Sequence, residues 1–215
     1  MAKARAGDGE LKVARLTPAR IADMEKVLRG TWGSACYCLF PRMTESERRK
    51  EHPGQSGRTI MSRIAAKRRA PGLLAYVGGE PAGWVAVAPR PDLRRIDRSK
   101  ATPPVDDVPV WVIPCLTVRR GFRRRGVAQA LIRAAVDYAA ARDAPAVEAY
   151  PRAGDAEVHD DYAFIGTQAL FRKAGFRVVR GPLKGVPRNW TPRVTMRVSC
   201  TRKTSRRPRG RSAAA

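Results

Sequence analysis

The feature that most constrains the fold is a long apolar run followed by a helix that begins at a glycine. The run "VPVWVIPCLTV" (108–118) is nearly all apolar, as a central strand covered on both faces would be. An amphipathic helix from Gly126 and the strand-like "APAVEAYP" (144–151) follow it, which predicts a β-α-β unit with parallel strands. Pro114 cannot donate a ladder hydrogen bond, so a bulge or a splayed edge is predicted within the first of these strands.

The remaining pattern extends this unit into one mixed sheet. Thr44 and Glu47 form a capping box, and a second helix is predicted around "GRTIMSRIAAKRR" (57–69), ending before Pro71. Two β-rich runs around the turn at 78–81 predict an antiparallel hairpin, and Gly175 ends a late helix that leads into a strand. The predicted order is β-α-α-β-β-β-α-β-α-β-β. It describes an α/β (α+β) fold with a mixed central sheet and helices on both faces.

The chain divides into one domain and two terminal segments. Residues 1–10 and 200–215 are small, polar or basic, and we expect both to be disordered. The domain is expected to span residues 11–199. No apolar run is long enough for a membrane-spanning helix, and the first residues lack the apolar stretch of a secretory signal, so the cytoplasm is the expected location.

The charge and the cysteines narrow the function classes. A net charge of +24 would attract nucleic acid, yet the 34 arginines and 9 lysines are spread along the whole chain. No nucleic-acid-binding motif is found, so only nonspecific binding through the basic tail is considered. The four cysteines are too few and too unevenly spaced for a disulfide framework, and no histidine has ligand spacing to the C-x-C pair. We expect free thiols and no metal.

The turn before Gly126 is a candidate anion site. The stretch "VRRGFRRRGVAQALI" (118–132) places five arginines ahead of a helix start, where unpaired backbone amides can donate to phosphate oxygens. Any single arginine could equally be solvated surface. The stretch is neither a P-loop, which needs Gly-Lys-Ser/Thr, nor the dinucleotide fingerprint G-x-G-x-x-G.

In this stretch the chain resembles the GCN5-related N-acetyltransferase (GNAT) superfamily. That family carries Leu-x-Val at a strand end and then Arg/Gln-x-x-Gly-x-Gly/Ala at a helix start, and the segments 116–118 and 123–128 match both. Its second signature places an aromatic residue four positions before Gly-Phe, as Phe171 stands before Gly175. The resemblance covers about residues 11–199. The pair Cys36 and Cys38 suggests a bacterial-type member with a C-x-C loop.

The resemblance implies acetyl-CoA as acetyl donor, with its arm in a gap of the sheet and its diphosphate at the turn. Main-chain groups of Leu116 and Val118 would bind the arm, and the Val118 amide would stabilise the developing oxyanion. The cofactor-binding residues that it implies are Leu116, Thr117, Val118, Arg123, Arg124, Arg125, Gly126, Val127, Ala128, Gln129 and Phe171.

Catalysis requires a proton acceptor for the attacking amine and a source of protons for the leaving thiolate. Glu148 is the first candidate base, although a strand carboxylate is also a common ion-pair partner; Glu80, Asp106 and Asp107 are alternatives. Many family members use a tyrosine where Phe171 stands, and phenylalanine cannot donate a proton. Tyr162 and Tyr150 are candidate substitutes, and solvent protonation is the alternative. The predicted catalytic residues are Glu148, Tyr162 and Val118.

The loop "WGSACYCLFPR" (32–42) is predicted to wall the acceptor pocket, because pockets need apolar walls with a few polar groups. Ordinary packing between two helices is the alternative. The predicted pocket residues are Trp32, Tyr37, Cys38, Phe40 and Tyr150. Covalent catalysis by a cysteine is disfavoured, since no histidine stands near in sequence.

These observations favour an N-acetyltransferase that acts on an amine of a small molecule by direct attack in a ternary complex. Protein or peptide acetylation is the alternative enzyme function. A basic nucleic-acid-binding protein and a catalytically silent acyl-CoA sensor are the alternatives from other classes. The sequence also allows a homodimer.

Overall fold

A computed structural model describes residues 9–31, 33–154, 165–185, 187 and 191–200. Within them, one mixed sheet of seven strands has the order β1-β2-β3-β4-β5-β7-β6. The strands are β1 (Leu11–Arg15), β2 (Gly72–Val77), β3 (Glu80–Pro89), β4 (Trp111–Val118), β5 (Ala146–Ala149), β6 (Arg177–Arg180) and β7 (Thr195–Ser199). The helices are α1 (Ile21–Leu28), α2 (Gly33–Cys36), α3 (Glu45–Glu51), α4 (Gly57–Ala65), α5 (Arg94–Asp97), α6 (Val127–Ala140) and α7 (Gln168–Arg172).

The predicted fold class and the central β-α-β unit are confirmed. β4 and β5 are parallel neighbours joined through α6, and the other described strand pairs are antiparallel. β2 and β3 form the predicted hairpin around the glycine pair at 78–79. The second predicted helix is confirmed as α4, which Ser56 caps, whereas the Thr44 capping box starts a separate helix, α3. The connection from 90 to 110, predicted without periodicity, contains the short α5.

Helices cover both faces of the sheet, so the central strands are buried on each side. On one face α6 and α7 pack with Val127, Leu131 and Phe171 in the larger apolar core. On the other face α1 and α4 contribute Met24 and Met61 to a second core. This arrangement explains why β3 and β4 read as almost continuous apolar runs rather than as alternating ones. In the part of the chain that the structure describes, no helix is both long and apolar enough to span a bilayer.

Candidate active site

The sheet forks between β4 and β5. The parallel register joins Trp111 to Val147 and ends at the pair Ile113 and Ala149. Beyond that pair β4 continues through Pro114 to Val118 and is paired with β3 alone. The proline thus stands at the point where the two strands separate, as its missing amide predicts. The fork leaves one side of the β4 backbone facing a gap.

The hydrogen-bond pattern shows which β4 residues face this gap. The Arg119 amide donates to the Ala82 carbonyl of β3 at 2.9 Å. Because backbone groups alternate in direction along a strand, the amides of Val118 and Leu116 point away from β3 and into the gap. Both residues line the cavity described below. The family resemblance implies that the main chain of these two residues binds the thioester arm.

The loop between β4 and α6 brings a helix start to the mouth of the gap. Arg124 and Gly126 both have left-handed backbones, with φ of 60° and 77°. Gly126 directly precedes α6, whose first amides have no partner within the helix. A Cβ atom built at Gly126 would meet no atom within 4 Å, so the space above it is open. An open glycine beside free helix amides fits the diphosphate of acetyl-CoA.

A cavity of about 1450 Å³ runs through the fork. At one end it is bounded by the loop after β4, by Ala128 of α6 and by Leu170 of α7. At the other end it reaches residues of α1, α2 and α3 and the loop between α2 and α3. These two ends lie against helices on opposite faces of the sheet. The cavity therefore has room for a cofactor arm and for a second molecule that approaches from the other face.

Three cysteine thiols lie in the part of the cavity next to the fork. Cys36, Cys38 and Cys115 all line it. The Cys38 sulfur accepts a hydrogen bond from the Trp84 indole at 3.1 Å, and the Cys38 amide donates to the Cys36 sulfur at 3.2 Å. The contact with Cys38, and then burial, raise the pKa of the Cys36 thiol far above its usual range. The contact with Cys115 and burial raise the pKa of Cys38 as well.

These raised pKa values predict slow thiol chemistry. Only the thiolate reacts quickly with disulfide reagents, so at pH 8 we expect Cys36 and Cys38 to react at least about tenfold more slowly than free cysteine. The measurement is a time course with 5,5′-dithiobis(2-nitrobenzoate), first on the native protein and then in guanidinium, where all four cysteines should react. The matched variant is Cys38→Ala, which removes the contact that raises the Cys36 pKa and should speed the Cys36 reaction. A native Cys36 that reacts as fast as free cysteine contradicts the expectation.

An aromatic-guanidinium stack stands at the acceptor end of the cavity. The Arg95 guanidinium carbon lies 3.8 Å from the centre of the Phe40 ring, and both residues line the cavity. The Arg95 amide donates to the Pro41 carbonyl at 3.2 Å, which ties α5 to this loop. Leu39 and Met43 supply buried apolar wall beside the stack. Nearby, Glu45 forms a two-pronged ion pair with Arg48 at 2.6 and 2.7 Å.

Glu148 lies in a buried ion cluster rather than in the cavity wall. One carboxylate oxygen accepts hydrogen bonds from Arg197 at 2.7 and 2.9 Å, and the other accepts one from the Tyr150 hydroxyl at 2.7 Å. The Glu148 side chain is 1% exposed, and Glu148 is not among the residues that line the cavity. Arg197 also binds the exposed Asp106 at 2.7 and 2.9 Å. This placement differs from that of a free base, since both carboxylate oxygens are already occupied.

Tyr150 extends the same cluster towards the 90–110 connection. Its hydroxyl accepts a hydrogen bond from Arg90 at 2.5 Å, and Arg90 also binds Asp97 and the Thr102 carbonyl. Burial and then the charge of Glu148 raise the pKa of Tyr150 well above its usual value. The tyrosine therefore stays protonated. It serves as a donor to Glu148 within the cluster and does not line the cavity.

The structure brings some of the predicted site residues to the cavity and places others elsewhere. Seven of them line it: Leu116, Thr117, Val118, Arg123, Ala128, Cys38 and Phe40. Four belong to the loop and helix start beside it: Arg124, Arg125, Gly126 and Val127. Trp32 and Tyr162 lie outside the described residues.

Three predicted contacts are engaged in packing instead. The Gln129 amide donates to the Leu170 carbonyl at 2.8 Å and so joins α6 to α7. Phe171 is fully buried, with its ring 5.1 Å from that of Phe176. The Tyr37 hydroxyl donates to Glu25 at 2.6 Å, outside the cavity wall. Four cavity residues were not predicted as site residues: Arg29, Leu39, Met43 and Arg95. Leu39 lies within the predicted loop, and Arg29 and Met43 flank it, but nothing in the sequence around Arg95 marks it as a site residue.

Among the described residues, no group of three histidine, cysteine or carboxylate side chains is placed to hold a metal ion. The geometry instead has the parts that a thioester cofactor needs: a forked sheet, unpaired strand amides and an open helix start. A sequence model of the acetyltransferase (GNAT) family matches residues 37–176. The chain therefore belongs to the GNAT acetyltransferase family, and it is an acetyl-CoA-dependent acetyltransferase.

Solved structures share the fold at low sequence identity. A putative acetyltransferase, yncA, from Salmonella typhimurium with its cofactor acetyl-CoA is 14% identical, with a TM-score of 0.50, and the match covers 91% of this chain and 96% of that one. The ribosomal-protein-S18-alanine N-acetyltransferase from Escherichia coli is 12% identical, with a TM-score of 0.50 and coverage of 92% and 98%. An aminoglycoside 6'-acetyltransferase type Ii is 14% identical, with a TM-score of 0.54 and coverage of 88% and 97%. No curated protein matches the chain.

Proposed function

We propose that this protein transfers the acetyl group of acetyl-CoA to an amine of a small molecule by direct attack in a ternary complex. The observation that carries the proposal is the continuous cavity through the β4–β5 fork, which connects a helix start on one face of the sheet with an apolar chamber on the other. A donor at the first end and an acceptor at the second would meet at the fork.

Residues of the fork and of the following loop would hold acetyl-CoA, which supplies the activated acetyl group. The Leu116 and Val118 amides are free to bind the arm as a neighbouring strand would. The amides at the start of α6, with the open space above Gly126, would bind the diphosphate. Arg123 donates from its Nε to the Val118 carbonyl at 3.3 Å, which braces this turn of the chain.

The Val118 amide is our candidate for stabilising negative charge on the thioester oxygen during attack. An amide already fixed towards that oxygen costs no reorganisation, and loss of one such donor typically lowers kcat by about 10²-fold or more. We expect Val118→Pro to lower kcat by about that factor while acetyl-CoA still binds. Pro114 already stands on the same edge of β4, four residues earlier, so a proline on this edge is compatible with the strand.

The test of this assignment is a comparison of kcat with the acetyl-CoA dissociation constant for Val118→Pro and for Val118→Ala. The alanine variant shortens the same side chain but keeps the amide, so it should retain most of the wild-type kcat. Equal turnover in the two variants would show that the Val118 amide takes no part in charge stabilisation.

The acceptor chamber favours a small molecule. It is walled by residues of α1, of α2 and of the loop that follows α2, with Leu39 and Met43 as apolar surface. A fold shared with both an aminoglycoside acetyltransferase and a protein acetyltransferase does not by itself choose between acceptors. The apolar side chains and the stack at its mouth are what support a compact acceptor over a peptide chain.

The amine must lose a proton as it attacks, so the carboxylates among the described residues of the cavity wall are the first candidates to accept it. Among the described residues that line it, Glu45 is the sole carboxylate, and Arg48 holds both of its oxygens. We therefore propose that water in the cavity takes the proton. We assign Glu148 a positioning role, in which it holds Arg197 and Tyr150 at the β5 side of the fork.

The function is tested by incubating the full chain with acetyl-CoA and a panel of small amines, with acetylated product followed by mass spectrometry. Thermal melts with acetyl-CoA, CoA and duplex DNA at two salt concentrations provide the comparison, because a ligand selective for the folded state raises its stability. We expect acetylated amine and a cofactor-specific rise in Tm. Cofactor binding without any acetylated amine would favour the acyl-CoA sensor, and a salt-sensitive shift with DNA alone would favour the nucleic-acid-binding protein.

A further inference from the structure

The acceptor end of the cavity has a strong excess of positive charge. Among the described residues that line the whole cavity, seven carry cationic side chains and one carries a carboxylate. Three of the cations, in the loop directly after β4, lie near the start of α6, where the cofactor phosphates would sit. The other four are on the α1, α3 and α5 side of the sheet: Lys26, Arg29, Arg48 and Arg95.

Two of these four cations have no carboxylate partner among the residues that the structure describes. Arg48 is held by Glu45, and Lys26 has Asp23 at 3.5 Å. Arg29 and Arg95 are exposed and form no ion pair with any carboxylate among the described residues. Arg95 is instead fixed by its stack on Phe40 and by its backbone bond to Pro41. A guanidinium fixed in this way loses little freedom when it binds an anion.

The cavity also has an apolar wall on the face of the sheet that carries these cations. Val27, Leu39 and Met43 are buried and line the cavity on this face of the sheet, together with Cys36, Cys38 and Cys115. A charged group in this region would lose its hydration without gaining a partner. A ligand that fits the chamber would thus have an apolar body near the fork and a negative group at the Arg29 and Arg95 end.

We propose, on the basis of the proposed function, that the acceptor is an amine with an apolar body and an anionic group such as a carboxylate. The anionic group binds between Arg29 and Arg95, and the neutral amine reaches the fork. The same charges disfavour a polycationic acceptor, since two guanidinium groups without a carboxylate partner among the described residues repel it. The cofactor phosphates would lie near the arginines of the loop after β4. Binding of these phosphates therefore does not explain the positive charge of Arg29 and Arg95.

Three amines built on one para-substituted benzene ring test the charge preference. They are 4-(aminomethyl)benzoate, 4-methylbenzylamine and p-xylylenediamine, whose far substituents are anionic, neutral and cationic. We expect kcat/KM to fall in that order, with the anionic amine preferred over the cationic one by at least about tenfold at low salt. Added KCl should narrow the difference, because salt screens exposed charges. Equal rates, or preference for the diamine, overturn the proposal.

Variants of single arginines test which residues cause the preference for the anionic amine. Arg29→Gln and Arg95→Gln should each raise KM for the anionic amine about fivefold or more. They should leave the neutral amine and acetyl-CoA little affected, and Arg95→Lys should retain part of the preference because it keeps the charge. The matched control is Arg133→Gln, which removes one exposed arginine on α6 outside the cavity wall. A preference that survives both cavity variants, or that Arg133→Gln reduces equally, overturns the assignment to Arg29 and Arg95.

A binding measurement separates this inference from the proposed function. If no amine is acetylated although acetyl-CoA binds, the proposed function fails. The charge preference is then measured directly, by calorimetry of the CoA complex with 4-(acetamidomethyl)benzoate and with its neutral 4-methyl analogue. Tighter binding of the anion that Arg95→Gln abolishes supports the inference on its own. Equal binding of the two compounds overturns it.

Discussion

Replacement of Gly126 by asparagine should weaken acetyl-CoA binding about 100-fold, whereas the same replacement at Gly121 in the same loop should change it less than about threefold. At both positions the space that a Cβ would occupy is free of protein atoms within 4 Å. The two positions differ in whether the cofactor diphosphate would occupy that space. Gly126 directly precedes α6, beside the amides that would hold the diphosphate, whereas Gly121 lines the cavity five residues earlier in the loop.

Asparagine is chosen because it tolerates the left-handed backbone of Gly126, where φ is 77°, better than other residues with side chains. A loss of affinity then reports obstruction of the ligand more than backbone strain. The measurement is calorimetric titration with acetyl-CoA, accompanied by a thermal melt of each free variant. Removal of the Arg119 side chain should cost much less affinity, because its guanidinium binds the Pro81 carbonyl at 2.7 Å and lies near Glu80 at 3.6 Å. Equal losses in all three variants would contradict the role of Gly126.

The fork in the sheet and the turn before α6 could be predicted from the sequence because their causes are local. Pro114 removes an amide from a strand, and the strand separates from its neighbour at that residue. Gly126 stands between an arginine-rich turn and an amphipathic helix, and it has the positive φ that such a turn requires. The main-chain assignments for Leu116 and Val118 follow from strand alternation once the neighbouring strand is known.

The ion-pair partners of Glu148 and the ring contact of Arg95 could not be predicted in this way. Glu148 and Arg197 are 49 residues apart, and Arg197 and Asp106 are 91 apart. They meet because β7 pairs with β5 in the sheet, an order that no local pattern reveals. Likewise, α5 places Arg95 on Phe40 from a connection without periodicity. A strand carboxylate can therefore be recognised as unusual from sequence, but its environment decides whether it is a base or an ion-pair partner.

Glu148→Gln should lower the free energy of unfolding by about 3 kcal/mol, because breaking a buried ion pair leaves the remaining charge without its partner. For a domain of this size that corresponds to a Tm about 6 to 12 °C lower. Glu148 is 1% exposed and accepts two hydrogen bonds from Arg197, whose own side chain is 15% exposed. The measurement is a thermal or denaturant unfolding curve of the full chain.

Asp106→Asn is the matched control, since it removes a second carboxylate from the same guanidinium. Asp106 binds Arg197 at 2.7 and 2.9 Å, as closely as Glu148 does, but its side chain is 44% exposed. Water can replace an exposed partner, so its loss should lower Tm far less than the loss of Glu148. Similar shifts for the two variants would show that burial does not determine the strength of this cluster.

The pH profile of the same Glu148→Gln variant distinguishes a positioning residue from a base. A positioning residue lowers stability and leaves the shape of kcat/KM against pH unchanged at temperatures well below the transition, because the group that takes the amine proton is still present. If Glu148 were the base, its replacement would instead remove the acidic limb of the profile. Since Arg197 and Tyr150 occupy both oxygens of Glu148, we expect the limb to persist, and its disappearance would return Glu148 to the reacting centre.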